Sequence, residues 1–301
     1  MSSGVLDELV RIRATTPERV QEALTARRRR PLLSPTGTLF VVAADHPARG
    51  VISAGGDPVA MADREGLLDR LVLALSRPGV DGVMATPDIV DDLALLGALE
   101  GKVVFGSINR SGLNGAVFEL DDRPTAYTPE AIDASCLDGG KLLLRVDDDD
   151  ETMPATLVSC AQVVTEMARL RLPVMIEVFA TTRRDGRVVT VEDPVALIRA
   201  IQIASALGAT SAYSWLKLPV TTEMERVLRS STLPTLLLGG DPTNADVVFE
   251  QWRQAMAYPQ VFGLVAGRSL LYPRDGDVAR AVDLAASIVS AAGDAASGRS
   301  R

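Results

Sequence analysis

Eight short apolar runs, with amphipathic stretches between them, constrain the fold of this chain more than any other feature. They are TLFVVAAD (38–45), DGVMATP (81–87), KVVFGSIN (102–109), GKLLLRVD (140–147), LPVMIEVFA (172–180), SAYSWLKLP (211–219), LPTLLLGGD (233–241) and VFGLVAGRS (261–269). They are rich in Val, Leu and Ile, the pattern of strands buried on both faces. The segments between them, such as ADREGLLDRLVLALSR and EDPVALIRAIQIASALG, read as helices with Asp or Pro near their starts and Gly near their ends. Alternating strands and helices imply an α/β fold with a parallel sheet. Eight such units in about 250 residues predict a closed (β/α)8 TIM barrel. The alternative is an open doubly wound sheet, but the chain has neither GxGxxG after its first run nor GxxxxGK[ST] anywhere. A leading amphipathic helix, roughly 4–28, sets the expected organisation: a helical extension over 1–36, the barrel over 37–290, and a small, polar, disordered tail over 291–301.

With 301 residues, 47% of them hydrophobic, the chain has ample material for a core. Its net charge of −8 excludes wholesale nucleic-acid binding. The basic run Arg27–Arg30 is read as the cationic end of the leading helix. The two cysteines, Cys136 and Cys160, form no CxxC and fit packing roles in a reduced, cytoplasmic protein. The N-terminus lacks an apolar signal core. No segment approaches the roughly 20 apolar residues of a membrane span.

Lysine usage points to the chemistry. Lysine occurs only at Lys102, Lys141 and Lys217, and every other strong base is arginine. Arginine replaces lysine as a cation but not as an amine, because a guanidinium does not deprotonate in proteins. Two of the three lysines lie inside apolar runs, where an ammonium is costly to bury. In a barrel, chemistry sits at the C-terminal ends of the strands. The fourth, fifth and sixth runs place Lys141, Glu177 and Lys217 on three successive strands. A dry amine beside another cation has a lowered pKa and is nucleophilic near neutral pH. It attacks a carbonyl to form an imine, with Glu177 moving the protons and Lys141 lowering the pKa of Lys217. The plain alternative is a buried ion network that only fills the barrel.

Other strand ends add to this. Gly239-Gly240 and Gly267-Arg268 follow the seventh and eighth runs, where this barrel usually binds phosphate. Glycines expose backbone N–H groups, and arginine grips an anion with two prongs. Asp45 ends the first run, where it binds substrate hydroxyls or caps a loop. Beside it is His46, the only histidine. Arg49, Arg110 and Arg145 are candidate partners for a substrate carboxylate. The acidic stretch Asp147–Asp150 is read as a solvated helix cap rather than a Mg²⁺ site. One histidine is too few for a zinc aldolase.

The pieces AADHP, GGKLLLRVD, PVMIEVF, SWLKLPV, LLLGGDP and GLVAGRSLL, spread over about Phe40–Tyr272, resemble the class I (Schiff-base) aldolases of the deoxyribose-phosphate and tagatose-bisphosphate superfamily. The resemblance implies Lys217 as the imine-forming lysine, Glu177 as the proton shuttle, Lys141 as its assistant, Asp45 as the first-strand aspartate and Gly267-Arg268 as phosphate ligands. Within that superfamily the chain is most similar to an actinobacterial-type branch found with inositol-catabolism enzymes. That implies cleavage of 6-phospho-5-dehydro-2-deoxy-gluconate to dihydroxyacetone phosphate and malonate semialdehyde. It also implies a small-molecule sugar phosphate as the partner, no metal or organic cofactor, and a homo-oligomeric assembly. Other Schiff-base sugar-phosphate aldolases, and a non-catalytic regulatory barrel, are the alternatives. Two positions depart from the tagatose branch: GGD ends the seventh run in place of Ser-Ala-Gly, and Asp-His ends the first in place of Asp-Gln.

Overall fold

The computed structural model describes residues 4–110, 112–239 and 245–299. Each apolar run forms a strand: β1 Leu39–Ala43, β2 Gly82–Ala85, β3 Val103–Ser107, β4 Gly139–Val146, β5 Val174–Arg184, β7 Ser214–Leu218, β8 Thr235–Leu238 and β9 Val261–Ala266. Neighbours pair in parallel around the ring, and the β4–β5 and β1–β9 pairings close it. Eight parallel strands with helices between them make the predicted TIM barrel.

Alternation along each strand sorts side chains into two layers. Phe40, Val42, Val83, Val104, Leu142 and Ile176 face outward into the core shared with the helices. Leu39, Val41, Met84, Phe105, Met175 and Leu236 fill the barrel interior. Lys141, Glu177 and Lys217 have the inward parity. Their charges therefore lie inside the barrel because of strand periodicity alone.

One strand has no counterpart among the eight apolar runs. β5 runs past the barrel rim and turns back into β6, Arg187–Thr190, pairing antiparallel from Thr181↔Thr190 to Arg184↔Arg187. Asp185 and Gly186 make the turn, with φ of 50° and 76°. Two successive positive φ values are what a two-residue hairpin requires, and Asp-Gly is its usual sequence. The signal was present in RRDGR.

The N-terminal extension also differs from expectation. It forms two helices, α1 Val5–Thr15 and α2 Glu18–Ala26, rather than one. Pro17 separates them, since proline lacks an N–H and restricts the residue before it. Arg27–Arg30 lies beyond the helix and clamps the floor of the barrel. Arg27 and Arg29 bind opposite oxygens of Asp138, at 2.8 and 2.9 Å, and Arg30 pairs with Asp81. These two acids precede β4 and β2, and they also accept the Val104 and Phe40 amides at 2.9 and 2.7 Å. Each therefore ties its own strand to a neighbour and to the extension. Leu32 and Leu33 then pack under the interior layer.

Arg27→Ala is expected to destabilise the protein by about 3 kcal/mol, the lower end for breaking a buried ion pair, because Arg29 and the Val104 amide remain on Asp138. Urea denaturation reads this directly, and an unchanged midpoint would refute the clamp.

The remaining helices are α3 Arg64–Ser76, α4 Pro87–Leu95, α5 Pro129–Ala134, α6 Met153–Arg169, α7 Pro194–Ser205, α8 Met224–Leu228, α9 Ala245–Ala255, α10 Arg268–Leu271 and α11 Val278–Arg299. Residues 291–299 of the expected disordered tail instead continue α11, with Ala292 packed against the core, and residues 300–301 lie outside the described residues. Gly293 lets the helix lie close to the segment that leads into β1, where a Cβ would meet the Thr36 hydroxyl at 2.6 Å. Among the described residues, no helix is long and apolar enough to cross a membrane.

Candidate active site

The barrel brings four sequence-predicted residues into one chain of contacts. β5 and β7 pair Glu177 directly with Lys217, and Lys217 Nζ donates to Glu177 Oε1 at 2.5 Å. Glu177 Oε2 is the ion partner of Lys141. Lys141 Nζ also donates to Asp45 Oδ2 at 3.3 Å. Lys141 pairs in register with Met175, one inward layer deeper than Glu177. Lys217 is thus nearer the mouth, and Lys141 is the fully buried member of the pair.

Two residues join the cluster from β3 and its end. Ser107 Oγ donates to Asp45 Oδ2 at 3.0 Å, and Arg110 pairs with the same carboxylate. Ser107 was missed in the sequence, although it has the inward parity of Val103 and Phe105. Its side chain is small and neutral and announces no chemistry by itself.

The electrostatics follow from burial. Burial pushes Lys217 below the usual lysine range, Glu177 opposes the shift, and Arg110 adds to it. Arg110 therefore adds a cation to the field around the Lys217 amine, alongside the mutual repulsion of Lys217 and Lys141. Lys141 is held well below the usual range, by burial first and then by Arg110 and Lys217, against the pull of Glu177. Burial alone would raise Glu177, but Lys141, Lys217 and Arg110 outweigh it and keep the carboxylate ionised. His46 is held down to about 3 by burial, then by the charges of Arg268, Lys217 and Lys141, with Glu177 opposing. Its imidazole is neutral at physiological pH. The site can thus hold two amines displaced toward their free form around one carboxylate.

The arginines have separate tasks. Arg145 forks onto Asp122, with Nε at 2.9 Å and the terminal nitrogen at 2.6 Å, and donates to the Glu119 carbonyl. Arg49 donates to the Gly112 carbonyl at 3.0 Å and faces Glu119 at 3.8 Å. Asn109 joins the same region, donating to the Leu143 carbonyl at 2.7 Å and accepting the Leu143 amide at 2.6 Å. Arg49 and Arg145 therefore anchor the loop after β3 instead of facing the amines. Arg110 is the one of the three that reaches them.

The expected phosphate ligands fare unevenly. Gly239 donates its N–H to the Val265 carbonyl at 3.2 Å, so the β8–β9 ladder takes up the amide assigned to phosphate. Gly240 lies outside the described residues. Gly267 is required for packing: a Cβ there would meet the Ala43 carbonyl oxygen at 2.3 Å. Arg268 opens α10, and its charge acts on His46.

The acidic run makes turns and ion pairs. Asp147 accepts the Asp149 amide at 3.1 Å, Asp150 accepts the Thr152 amide at 2.9 Å, and Asp148 pairs with Arg199 at 2.9 Å. Among the described residues, no group of three His, Cys, Asp or Glu side chains is placed to hold a metal ion.

Known proteins share this architecture. The crystal structure of Cgl0159 from Corynebacterium glutamicum is 49% identical, with a TM-score of 0.94 over 97% of this chain and 98% of that one. An archaeal fructose-1,6-bisphosphate aldolase, solved with its catalytic lysine covalently bound to the carbinolamine intermediate of the substrate, has a TM-score of 0.62 at 17% identity over 90% of this chain and 99% of that one. The fructose-bisphosphate aldolase from Slackia heliotrinireducens gives 0.62 at 15% identity, over 85% and 82%. At these identities the aldolases share the barrel. No curated protein matched the chain. The Cgl0159-like family model matches residues 37–286, the whole barrel to within the last helix, and with this match the chain belongs to the Cgl0159-like family.

Proposed function

We propose that the protein is a class I aldolase that cleaves a phosphorylated keto-sugar through a Schiff base on Lys217. The observation that carries this reading is the buried Lys217–Glu177–Lys141 chain, in which the lysine nearer the mouth is displaced toward the free amine. The barrel shared with Schiff-base fructose-bisphosphate aldolases supports it.

Lys217 attacks the substrate ketone, and loss of water gives an iminium. A base takes the proton of the hydroxyl on the carbon that becomes the aldehyde. The carbon–carbon bond then breaks, and its electron pair enters the iminium to give an enamine. Glu177 relays protons for dehydration and for reprotonation of the enamine, and water releases the ketone. Lys141 and Asp45 position hydroxyls, and Gly267-Arg268 faces the phosphate.

The finer proposal is 6-phospho-5-dehydro-2-deoxy-gluconate as substrate, with dihydroxyacetone phosphate and malonate semialdehyde as products. It rests on the motif resemblance and on Arg110, a cation beside the amines suited to a sugar-acid carboxylate.

Borohydride reduction in the presence of dihydroxyacetone phosphate should leave a stable adduct on the peptide containing Lys217, read by mass spectrometry. An adduct on the Lys141 peptide would reverse the roles of the two lysines. No adduct on folded protein would end the Schiff-base reading and favour a non-catalytic barrel.

A further inference from the structure

Two buried polar atoms at the mouth of the barrel have no hydrogen-bond partner, and they face each other. Asp45 uses its two oxygens unequally. Oδ2 takes Ser107, Lys141 and Arg110, while Oδ1 takes nothing. His46 Nδ1 is likewise unpartnered, and it lies 3.9 Å from Asp45 Oδ1. That separation is too long for a direct hydrogen bond. One oxygen between the two atoms, bent at hydrogen bonds of about 2.8 Å each, satisfies both. Leaving both unsatisfied in a buried position is costly.

We propose that Asp45 Oδ1 and His46 Nδ1 form a two-point site for one hydroxyl, that of the substrate carbon that becomes the aldehyde. This rests on the Schiff-base reading above. In that reaction, this hydroxyl is the group that needs an acceptor for its proton and a donor for its oxygen at once. The hydroxyl donates to Asp45 Oδ1, and His46, with its ring proton on Nδ1, donates to the hydroxyl oxygen. On cleavage the hydroxyl proton passes to Asp45, the O–H electron pair becomes the second bond of the new carbonyl, and the carbon–carbon pair enters the iminium. His46 keeps its proton throughout and stays bonded to the oxygen as it becomes the aldehyde. A neutral imidazole suits that task, and burial together with the surrounding cations keeps His46 neutral. The position fits as well, since His46 lies in the field of both Lys217 and Arg268, the proposed nucleophile and phosphate ligand.

The test separates the two halves of the reaction in the full chain carrying His46→Phe or His46→Asn. Condensation of dihydroxyacetone phosphate with malonate semialdehyde is measured, or with glyceraldehyde 3-phosphate if the wild type rejects the first. Alongside it, borohydride trapping of dihydroxyacetone phosphate and exchange of its carbon-bound proton with D2O report the triose half alone. His46→Phe should slow condensation about 100-fold, the loss typical of one donor to a reacting oxygen, with trapping and exchange within about threefold of wild type. His46→Asn keeps an N–H donor and should recover at least about tenfold of that loss. Condensation at the wild-type rate in His46→Phe would overturn the site. So would an equal fall in condensation and exchange, which would make His46 a residue of the fold or of the triose half. Should His46→Phe fail to fold, condensation and triose exchange slowed equally in His46→Asn would overturn the site in the same way. Absence of any trapped adduct in the wild type would instead remove the Schiff-base reading, and the hydroxyl site with it.

Discussion

Lys217→Arg should abolish turnover, with a loss of at least about 10⁴-fold, while the protein keeps its fold. Covalent catalysis through an imine requires a lone pair on nitrogen, and a guanidinium does not supply one. The positive charge survives the change, so Glu177 keeps a cation beside Oε1, where Lys217 now donates at 2.5 Å. A purely electrostatic role for Lys217 would tolerate arginine and retain a substantial part of the rate. The measurement is steady-state cleavage, alongside thermal melting to show that the barrel persists. Borohydride trapping with dihydroxyacetone phosphate should disappear in the same variant. Turnover within tenfold of wild type in Lys217→Arg would sink the Schiff-base mechanism at this residue.

Glu177→Gln should lower kcat by about 10³-fold, within the usual range for a positioned proton shuttle. Glutamine preserves the size and part of the hydrogen bonding but neither accepts nor returns a proton. The pH profile gives an independent sign. The free amine of Lys217 is the reactive form, so kcat/KM should rise with pH until Lys217 is deprotonated. Burial sets that limb below the ordinary lysine range, and Glu177 opposes the shift by favouring the ammonium. Removing the carboxylate therefore moves the limb to lower pH. Movement to higher pH would mean that Glu177 does not act on this amine. Glu177 is held well below the usual carboxylate range, so its own ionisation adds no limb near neutral pH.

Much of the barrel was legible in the chain because burial on both faces leaves a local mark. An apolar run such as KVVFGSIN has few other places to go, and its neighbours obey the same rule. The same locality exposed Lys141 and Lys217, since an amine inside such a run contradicts its surroundings. The hairpin of β5 and β6 was legible in RRDGR as well, but its strands are too polar to stand out as buried. The single leading helix failed at Pro17, and the helical continuation over 291–299 was not legible because small residues read as disorder when the surface they pack on is not in view.

The chain by itself determined the strand–helix order and the inward parity of Lys141, Glu177 and Lys217, because both follow from periods of two and 3.6 residues. The tertiary structure alone decided which charges meet. Closure of the ring through β4–β5 and β1–β9 set Asp45 against Lys141, brought the charge of Arg110 to bear on the Lys217 amine, and turned Arg49 and Arg145 toward Asp122 and Glu119. It also took the Gly239 amide into the sheet and left Asp45 Oδ1 facing His46. Coulombic and desolvation energies depend on distance and burial through space, and distances between residues far apart in the chain come into being only when the barrel closes.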